Sequence, residues 1–168
     1  NDYLLTTKDT FLCTMQTGKG KTGSSIISLM KRKTVSRFLL LIPPKFHLIW
    51  EDAFKKFTDI SNENILIVSG RDALYNLVNI KPIISVVIIS PPTLREYFKD
   101  YFSGVKMPIK PSDIMKYVGS EYIILDEAHN DFNNLYINVL ALNPKKVIML
   151  TATYESSKDD RKVTKFKD

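Results

Sequence analysis

Six short runs of large apolar residues recur along the chain, and stretches with helical spacing separate them. The runs cover residues 10–14, 38–42, 65–68, 86–89, 122–125 and 147–150. Most are continuously apolar, and uninterrupted Ile, Leu and Val is typical of strands that are buried on both faces. Strands that alternate with helices form parallel sheets covered on both sides. The pattern therefore predicts an α/β fold with three layers and a mostly parallel central sheet.

Four longer helices are predicted between these strands, over residues 22–33, 45–57, 92–102 and 131–142. In the second of them, apolar residues recur at intervals of three and four, so one face should pack inward. These residues are Phe46, Ile49, Trp50, Ala53, Phe54 and Phe57. The spacing favours core packing for Trp50 over stacking on a base. Residues 103–120 contain several Gly and Pro, which predicts a long surface excursion.

Composition and charge limit the possible classes of protein. The 168 residues are 44% hydrophobic and 25% charged, which is typical of one globular domain. Basic residues exceed acidic residues by 24 − 18 = 6, which is compatible with a polyanionic partner. The single cysteine, Cys13, excludes an internal disulfide and favours an intracellular setting, cytoplasmic or nuclear. No apolar run approaches the roughly 18 residues of a membrane helix, so we expect no membrane span.

A glycine-containing loop, Gln16-Thr17-Gly18-Lys19-Gly20-Lys21-Thr22, follows the first predicted strand and opens the first predicted helix. Backbone N–H groups in such a loop can surround the phosphates of a nucleotide. Lys21 would reach the outer phosphates, and the Thr22 hydroxyl could bind Mg²⁺. The loop departs from the usual pattern at Met15, where a Gly or Ala is expected. A bulky residue there could crowd the phosphates.

Two acids, Asp126 and Glu127, follow directly after the apolar run at residues 122–125. Hydrolysis of a nucleoside triphosphate needs one carboxylate for Mg²⁺ and a second to orient and deprotonate the attacking water. Adjacent residues at a strand end should point in different directions. We therefore expect Asp126 to serve the metal and Glu127 to face the γ-phosphate. The alternative is that both acids only cap the next helix.

Three motifs occur in the order found in superfamily 2 helicases and translocases. Residues 17–22, Asp126-Glu127-Ala128-His129 and Thr151-Ala152-Thr153 resemble their motifs I, II and III. Leu40-Leu41-Ile42-Pro43 followed by Trp50 looks like the motif Ia region of Swi/Snf-type and restriction-type DNA translocases, and residues 88–94 are similar to motif Ib. The resemblance covers about residues 8–154. It implies a RecA-like P-loop ATPase domain.

The resemblance also implies a role for each matching residue. Lys21 would neutralise the β and γ oxygens of ATP, Thr22 and Asp126 would hold Mg²⁺, and Glu127 would be the catalytic base. The triphosphate would be bound by Thr17, Gly18, Lys19, Gly20, Lys21 and Thr22. Coupling between nucleotide and nucleic acid is implied for His129, Thr151 and Thr153, although His129 could simply bond to the start of a helix. Nucleic-acid phosphates would contact Pro43, Pro44, Lys45 and Thr93.

On this reading, residues 1–154 form the ATP-binding domain, and residues 155–168 form a charged linker or tail toward a second RecA-like domain. That second domain would supply an arginine finger, so we expect this chain alone to bind nucleotide weakly and to hydrolyse it slowly. The function implied is ATP-dependent movement on nucleic acid, with DNA favoured over RNA. Two alternatives stay open: an RNA helicase of the DEAH type, and a non-catalytic docking module with a degenerate P-loop.

Overall fold

A single parallel sheet organises the chain. A computed structural model describes residues 10–14, 20–31, 37–127 and 132–151. Its strands are β1 (Thr10–Thr14), β2 (Phe38–Leu41), β3 (Ile65–Val68), β4 (Val86–Ile89), β5 (Tyr122–Leu125) and β6 (Lys146–Thr151). They lie in the order β1-β6-β5-β2-β4-β3, and every pairing is parallel. The predicted α/β fold with a parallel sheet is confirmed.

Helices connect the strands, and 3-10 turns occur at Pro44–Phe46, Asn62–Asn64, Asn76–Asn79 and Pro111–Asp113. The helices are α1 (Lys21–Met30), α2 (His47–Phe57), α3 (Arg71–Tyr75), α4 (Pro91–Phe102), α5 (Ile114–Val118) and α6 (Phe132–Leu142). The four longer helices begin within two residues of the predicted positions. None of the helices in the described part of the chain is long and apolar enough to cross a membrane.

The sheet separates two apolar cores. Successive residues of β2 point to opposite faces, so Leu39 and Leu41 join one core while Phe38 and Leu40 join the other. The first core includes Leu94, Tyr97 and Ile114, and the second includes Ile26, Trp50 and Phe54. Every residue of β2 and β4 is buried. This burial on both faces explains why the central strands are apolar without alternation.

The inward face of α2 is narrower than the sequence predicts. Trp50 and Phe54 are fully buried, and the packing role predicted for Trp50 is confirmed. Ile49 and Phe57, however, are 54% and 42% exposed. The buried residues of α2 are His47, Trp50 and Phe54, which are spaced by three and four. Residues beside this stripe face outward because one helix face about 100° wide meets the core.

The segment 103–120 is the predicted surface excursion only in its first part, because residues 103–106 are exposed while later residues pack into the core. It contains α5, and Ile109, Ile114 and Val118 are buried in the first core. The Tyr97 hydroxyl donates to the Ile109 carbonyl at 2.7 Å and accepts from the Ile109 amide at 3.2 Å. Gly119 ends α5 in the left-handed conformation, with φ of 71°. This glycine caps a short buried helix, a role that looks like a loop signal in the sequence.

Candidate active site

The carboxyl ends of the six parallel strands lie at one edge of the sheet, where ligands bind in open α/β sheets. The β1 strand leads toward α1, β2 toward the 3-10 turn at Pro44–Phe46, and β5 into Asp126 and Glu127. Because β5 pairs with β2 and β6, and β6 pairs with β1, these connections are close neighbours. The topology therefore brings the two strongest predicted motifs to one place.

Three charged side chains meet at this edge, and we call Lys21, Asp126 and Glu127 the charged cluster. Lys21 Nζ lies 2.8 Å from Glu127 Oε1 and 3.1 Å from Asp126 Oδ1. The side chains of Lys21, Asp126 and Glu127 are 11%, 6% and 16% exposed. Lys21 and Glu127 are 106 residues apart in the chain. The fold therefore joins the glycine loop and the acids in a contact that is largely shielded from water.

The two acids of the charged cluster change the pKa of Lys21. Burial by itself lowers that pKa, since it disfavours the charged ammonium. The hydrogen bond to Glu127 and the negative charge of Asp126 act in the opposite direction and are together stronger, so the net pKa lies above its ordinary value of 10.5. Lys21 is therefore a protonated cation at neutral pH, suited to contact with phosphate oxygens.

The turn after β5 aims both acids at the same ammonium. The Asp126 amide donates to the Leu41 carbonyl at 3.1 Å, which continues the pairing of β5 with β2 for one residue. Glu127 then has φ of 53°, an uncommon conformation for a residue other than glycine. Its amide donates to Asp126 Oδ1 at 2.9 Å. The expectation that neighbouring acids diverge at a strand end is wrong here, because the chain turns sharply at Glu127.

Trp50 is a contact of the site that the sequence analysis missed. Its indole Nε1 donates to Asp126 Oδ2 at 2.7 Å, and the two residues are 76 positions apart. Asp126 is 5% exposed and Trp50 is fully buried. The apolar spacing of α2 indicated that Trp50 is buried but gave no partner for its N–H. Buried tryptophans usually do have such a partner, which was the available signal.

A groove of about 320 Å³ opens beside the acids, and we call it the proline groove. It is lined by Pro43, Pro44, Lys45, Pro91, Pro92, Asp126, Glu127 and Leu135. The same groove is therefore lined by the two acids and by three residues predicted to contact nucleic acid, which are Pro43, Pro44 and Lys45. The ammonium of Lys45 lies 4.8 Å from the centre of the Phe46 ring, at the start of this connection.

A second, larger groove of about 510 Å³ follows β3 and β4, and we call it the β3–β4 groove. Its lining comprises Ser69, Gly70, Arg71, Asp72, Pro92, Thr93 and Glu96. Gly70 has φ of 79° and precedes α3, which explains a glycine at that position. The sequence analysis did not single out residues 69–71, although Ser-Gly after an apolar run is a turn signal at a strand end.

Thr93 lies in this second groove and not with Pro43, Pro44 and Lys45. It is 8% exposed, and its Oγ1 lies 2.8 Å from the Ser90 hydroxyl. Ser90 Oγ also accepts from the Thr93 amide at 3.3 Å, which caps the start of α4. The Thr93 hydroxyl, which was predicted to contact a phosphate, thus has a partner in Ser90, the residue that caps α4. Pro92 lines both grooves, so the two are adjacent.

The remaining predicted site residues fall into two groups. Gly20 and Thr22 flank Lys21, and Thr22 is half-buried in the first turn of α1. Thr151 is buried at the end of β6, where it is paired with Thr14 of β1. The other predicted positions lie outside the described residues: Met15, Thr17, Gly18, Lys19, His129, Thr153 and the predicted tail at 155–168.

Three of the solved structures that are similar to this chain show the same fold. The SWI2/SNF2 ATPase core of Sulfolobus solfataricus, solved with double-stranded DNA, is 19% identical with a TM-score of 0.60, over 92% of this chain and 30% of that one. The Hef helicase domain of Pyrococcus furiosus is 20% identical with a TM-score of 0.64, and the match covers 94% of this chain and 32% of that one. The UvsW helicase of bacteriophage T4 is 15% identical with a TM-score of 0.61, over 94% and 51%.

This chain thus spans between about a third and a half of the length of those structures. No match was found among curated proteins. A protein-family model described as DEAD/DEAH box helicase matches residues 2–160, which is nearly the whole chain. The matched region contains the glycine loop, both acids and every strand of the sheet. The chain belongs to the DEAD/DEAH box helicase family.

Proposed function

We propose that the chain is the ATP-binding half of an ATP-dependent helicase or translocase that moves on nucleic acid, with DNA preferred over RNA. One observation carries the proposal. Lys21 of the glycine loop lies within 3.1 Å of both acids that follow β5, at the carboxyl edge of a parallel sheet. A cation and two carboxylates in this arrangement are the groups that phosphoryl transfer to water requires.

The residues of the cluster fit ATP and Mg²⁺. Mg²⁺ prefers oxygen ligands and is usually held by one or two carboxylates together with substrate phosphates. Asp126 offers a buried carboxylate, and the Thr22 hydroxyl lies one residue beyond Lys21 at the start of α1. When bound, Mg²⁺ would neutralise charge on the phosphate oxygens. Lys21 would bind the β and γ oxygens with Thr17, Gly18, Lys19 and Gly20, and Glu127 would orient and deprotonate water.

The nucleic acid would bind along the same edge of the sheet. Pro43, Pro44 and Lys45 line a groove that also reaches the acids, which supports a short path between the nucleic acid and the nucleotide. Arg71 extends this surface along the β3–β4 groove, whereas the predicted contact of Thr93 is less favoured because its hydroxyl is buried against Ser90. Thr151 lies at the end of β6, between β1 and β5. Together with His129 and Thr153, it would couple the state of the nucleotide to the binding of nucleic acid. Contacts of this kind fix position on the phosphate backbone without reading sequence.

We further propose that residues 1–154 are the ATP-binding domain and that residues 155–168 lead to a second RecA-like domain. Such a domain would close on ATP and supply an arginine finger, which increases phosphoryl transfer by about 10³-fold or more. The setting would be intracellular, where ATP and nucleic acid are both available. The chain alone would then hydrolyse ATP slowly.

Calorimetric titration with Mg²⁺ and a non-hydrolysable ATP analogue tests the nucleotide assignment. We expect binding by the wild-type chain and a loss of at least about 100-fold in Lys21→Ala, because a charge-assisted contact to phosphate disappears. Lys55→Ala is the matched control, since Lys55 also pairs with acids, Glu51 and Asp52, but is 41% exposed on α2. Undiminished binding by Lys21→Ala would contradict the role assigned to Lys21. No binding by the wild-type chain would favour the non-catalytic docking module.

The choice between DNA and RNA needs the full-length protein. Support for DNA comes from the Swi/Snf-like sequence around Pro43 and Trp50 and from a neighbour of the same fold solved with double-stranded DNA. We expect duplex DNA to stimulate ATP hydrolysis more than single-stranded RNA does. Stimulation by RNA alone would reverse the preference and support the DEAH-type RNA helicase.

A further inference from the structure

We propose that Trp50 is a positioning residue for the metal-binding carboxylate of Asp126. This inference rests on the proposed function, because it concerns the same Mg²⁺ site. Trp50 Nε1 donates to Asp126 Oδ2 at 2.7 Å, and both residues are buried. The role goes beyond core packing, since a side chain that orients a ligand of the metal changes the affinity of the site for that metal.

The two oxygens of Asp126 have different partners. Oδ2 accepts the indole N–H, while Oδ1 accepts the Glu127 amide at 2.9 Å and lies 3.1 Å from Lys21 Nζ. The indole N–H can only donate a hydrogen bond, and it has one hydrogen to donate, so it binds one oxygen of the carboxylate. A donor on Oδ2 holds the carboxylate plane in one orientation. Oδ1 then stays on the side of Lys21, where the phosphates and the metal would lie.

The donor lies inside the protein. The Trp50 ring is fully buried in the second core. At the start of α2, a ring nitrogen of His47 lies 2.9 Å from the Ile42 carbonyl, and after its end the Thr58 hydroxyl donates to the Phe54 carbonyl at 2.6 Å. The His47 contact joins the start of α2 to the residue that follows β2, and the Thr58 bond closes the last turn of the helix. Burial of the ring on this helix keeps the indole N–H next to Asp126.

Trp50→Phe is the direct test, because it keeps an aromatic ring and removes the N–H. We expect the Mg²⁺ affinity of the chain, titrated in the presence of a non-hydrolysable ATP analogue, to fall by about tenfold, the usual effect of losing a partner of a metal ligand. Binding of the analogue without Mg²⁺ should stay within about twofold of wild type, because Lys21 and the glycine loop are unchanged. An unchanged Mg²⁺ affinity would overturn the inference.

Phe54→Leu is the matched control for packing. Phe54 is fully buried on the same helix and in the same core, and its ring carries no hydrogen-bonding group. It should lower the melting temperature as Trp50→Phe does while leaving the Mg²⁺ affinity unchanged. A drop in Mg²⁺ affinity of equal size in both variants would assign the effect to packing and overturn the inference.

A second measurement leaves Trp50 unchanged and compares the wild-type chain with Asp126→Asn. Trp50 is the one tryptophan among the 168 residues, so the tryptophan emission of the chain comes from this side chain. Adding Mg²⁺ to the nucleotide complex should change the emission, and the change should be absent in Asp126→Asn. Mg²⁺ binding seen by calorimetry with no change in emission would overturn the inference. If wild-type chain binds no Mg²⁺-nucleotide at all, the proposed function fails, which is a distinct result.

Discussion

The charged cluster and the β3–β4 groove lie at the same edge of the sheet, but they are built in opposite ways. The cluster joins residues 106 positions apart, and its side chains are between 6% and 16% exposed. The groove is formed by two short segments, residues 69–72 and 92–96, and its Arg71 side chain is 49% exposed. The cluster joins segments from distant parts of the chain, while the groove is formed by the starts of α3 and α4, which follow two paired strands.

This difference has energetic consequences. Charges interact more strongly where water is excluded, so removing one member of the cluster leaves buried charges without compensation. The ion pair between Arg71 and Asp100 is partly exposed, and such pairs contribute little to stability. We therefore expect changes in the cluster to affect both stability and nucleotide binding, and changes in the groove to affect only binding of nucleic acid.

The largest effect is expected for Lys21→Ala. Removing the ammonium leaves Asp126 and Glu127 close together and largely buried, and the free energy of unfolding should fall by about 3 kcal/mol. Urea denaturation of the nucleotide-free chain measures this. Adding Glu127→Gln to Lys21→Ala should restore part of the loss, because it removes the repulsion between the acids.

Lys55→Ala sets the scale for an exposed lysine, since its partners Glu51 and Asp52 lie on the same helix. It should cost less than about 1 kcal/mol. If Lys21→Ala lowers the free energy of unfolding no more than Lys55→Ala does, the buried cluster is not more important for stability than an exposed ion pair, and the comparison is contradicted.

The contribution of Lys21 to stability should depend on pH, which gives a second test of the buried cluster. The pKa of Lys21 is raised in the folded chain above its ordinary value of 10.5. Its contribution to stability is therefore fully present below the unfolded pKa and is lost as pH rises through the folded pKa. The difference in unfolding free energy between wild type and Lys21→Ala should stay constant from neutral pH up to about pH 10 and decrease above it. A difference that decreases already near neutral pH would contradict the raised pKa.

A smaller effect is expected for Arg71→Ala in the β3–β4 groove. Loss of one phosphate contact should weaken binding of a short DNA duplex by roughly three- to tenfold and should reduce the salt dependence by about one unit of slope. Fluorescence anisotropy at several salt concentrations measures both. Stability and Mg²⁺-nucleotide binding should not change. Lys81→Ala is the control, because Lys81 is an exposed cation in the turn before β4, at the other edge of the sheet.

The smallest effect concerns the contact between α1 and α2 behind the cluster. A methyl group at Gly23 would lie 2.8 Å from the Phe57 ring, so Gly23→Ala requires that ring to move. The gain in helix propensity, about 1 kcal/mol, should be largely cancelled in the wild-type background. In the background of Phe57→Ala the same substitution should stabilise by nearly that amount. Thermal unfolding of wild type, the two single variants and the double variant gives the coupling between Gly23 and Phe57, and equal effects of Gly23→Ala in both backgrounds would exclude it.

The strands were the most predictable part of the fold. All six predicted runs are strands with ends within one residue, because burial on both faces demands continuous apolar sequence. Prediction failed for the width of the buried face of α2 and for the buried part of the segment 103–120. Ile49 is exposed although its spacing fits the stripe, since the width of the buried face depends on the neighbouring elements. Gly119 caps a buried helix, a role that the sequence does not distinguish from a loop.

The site was predictable in its chemistry and less so in its geometry. Lys21, Asp126 and Glu127 were identified from local motifs, whereas their convergence depends on strand order. The turn at Glu127 and the bond from Trp50 to Asp126 have no local signal. The contact of Thr93 with Ser90 is different, because it joins residues three apart at the start of α4, and a Ser before a Pro is a local signal for such a cap.

The sequence by itself determined the parallel α/β sheet and the types of group that can handle a triphosphate, because periodicity and motif chemistry are local properties. Tertiary structure alone decided that Lys21 contacts both acids, that Trp50 contacts Asp126, and that the acids share a groove with Pro43, Pro44 and Lys45. Those contacts join segments far apart in the chain. They exist only because the order of the strands places the connections side by side.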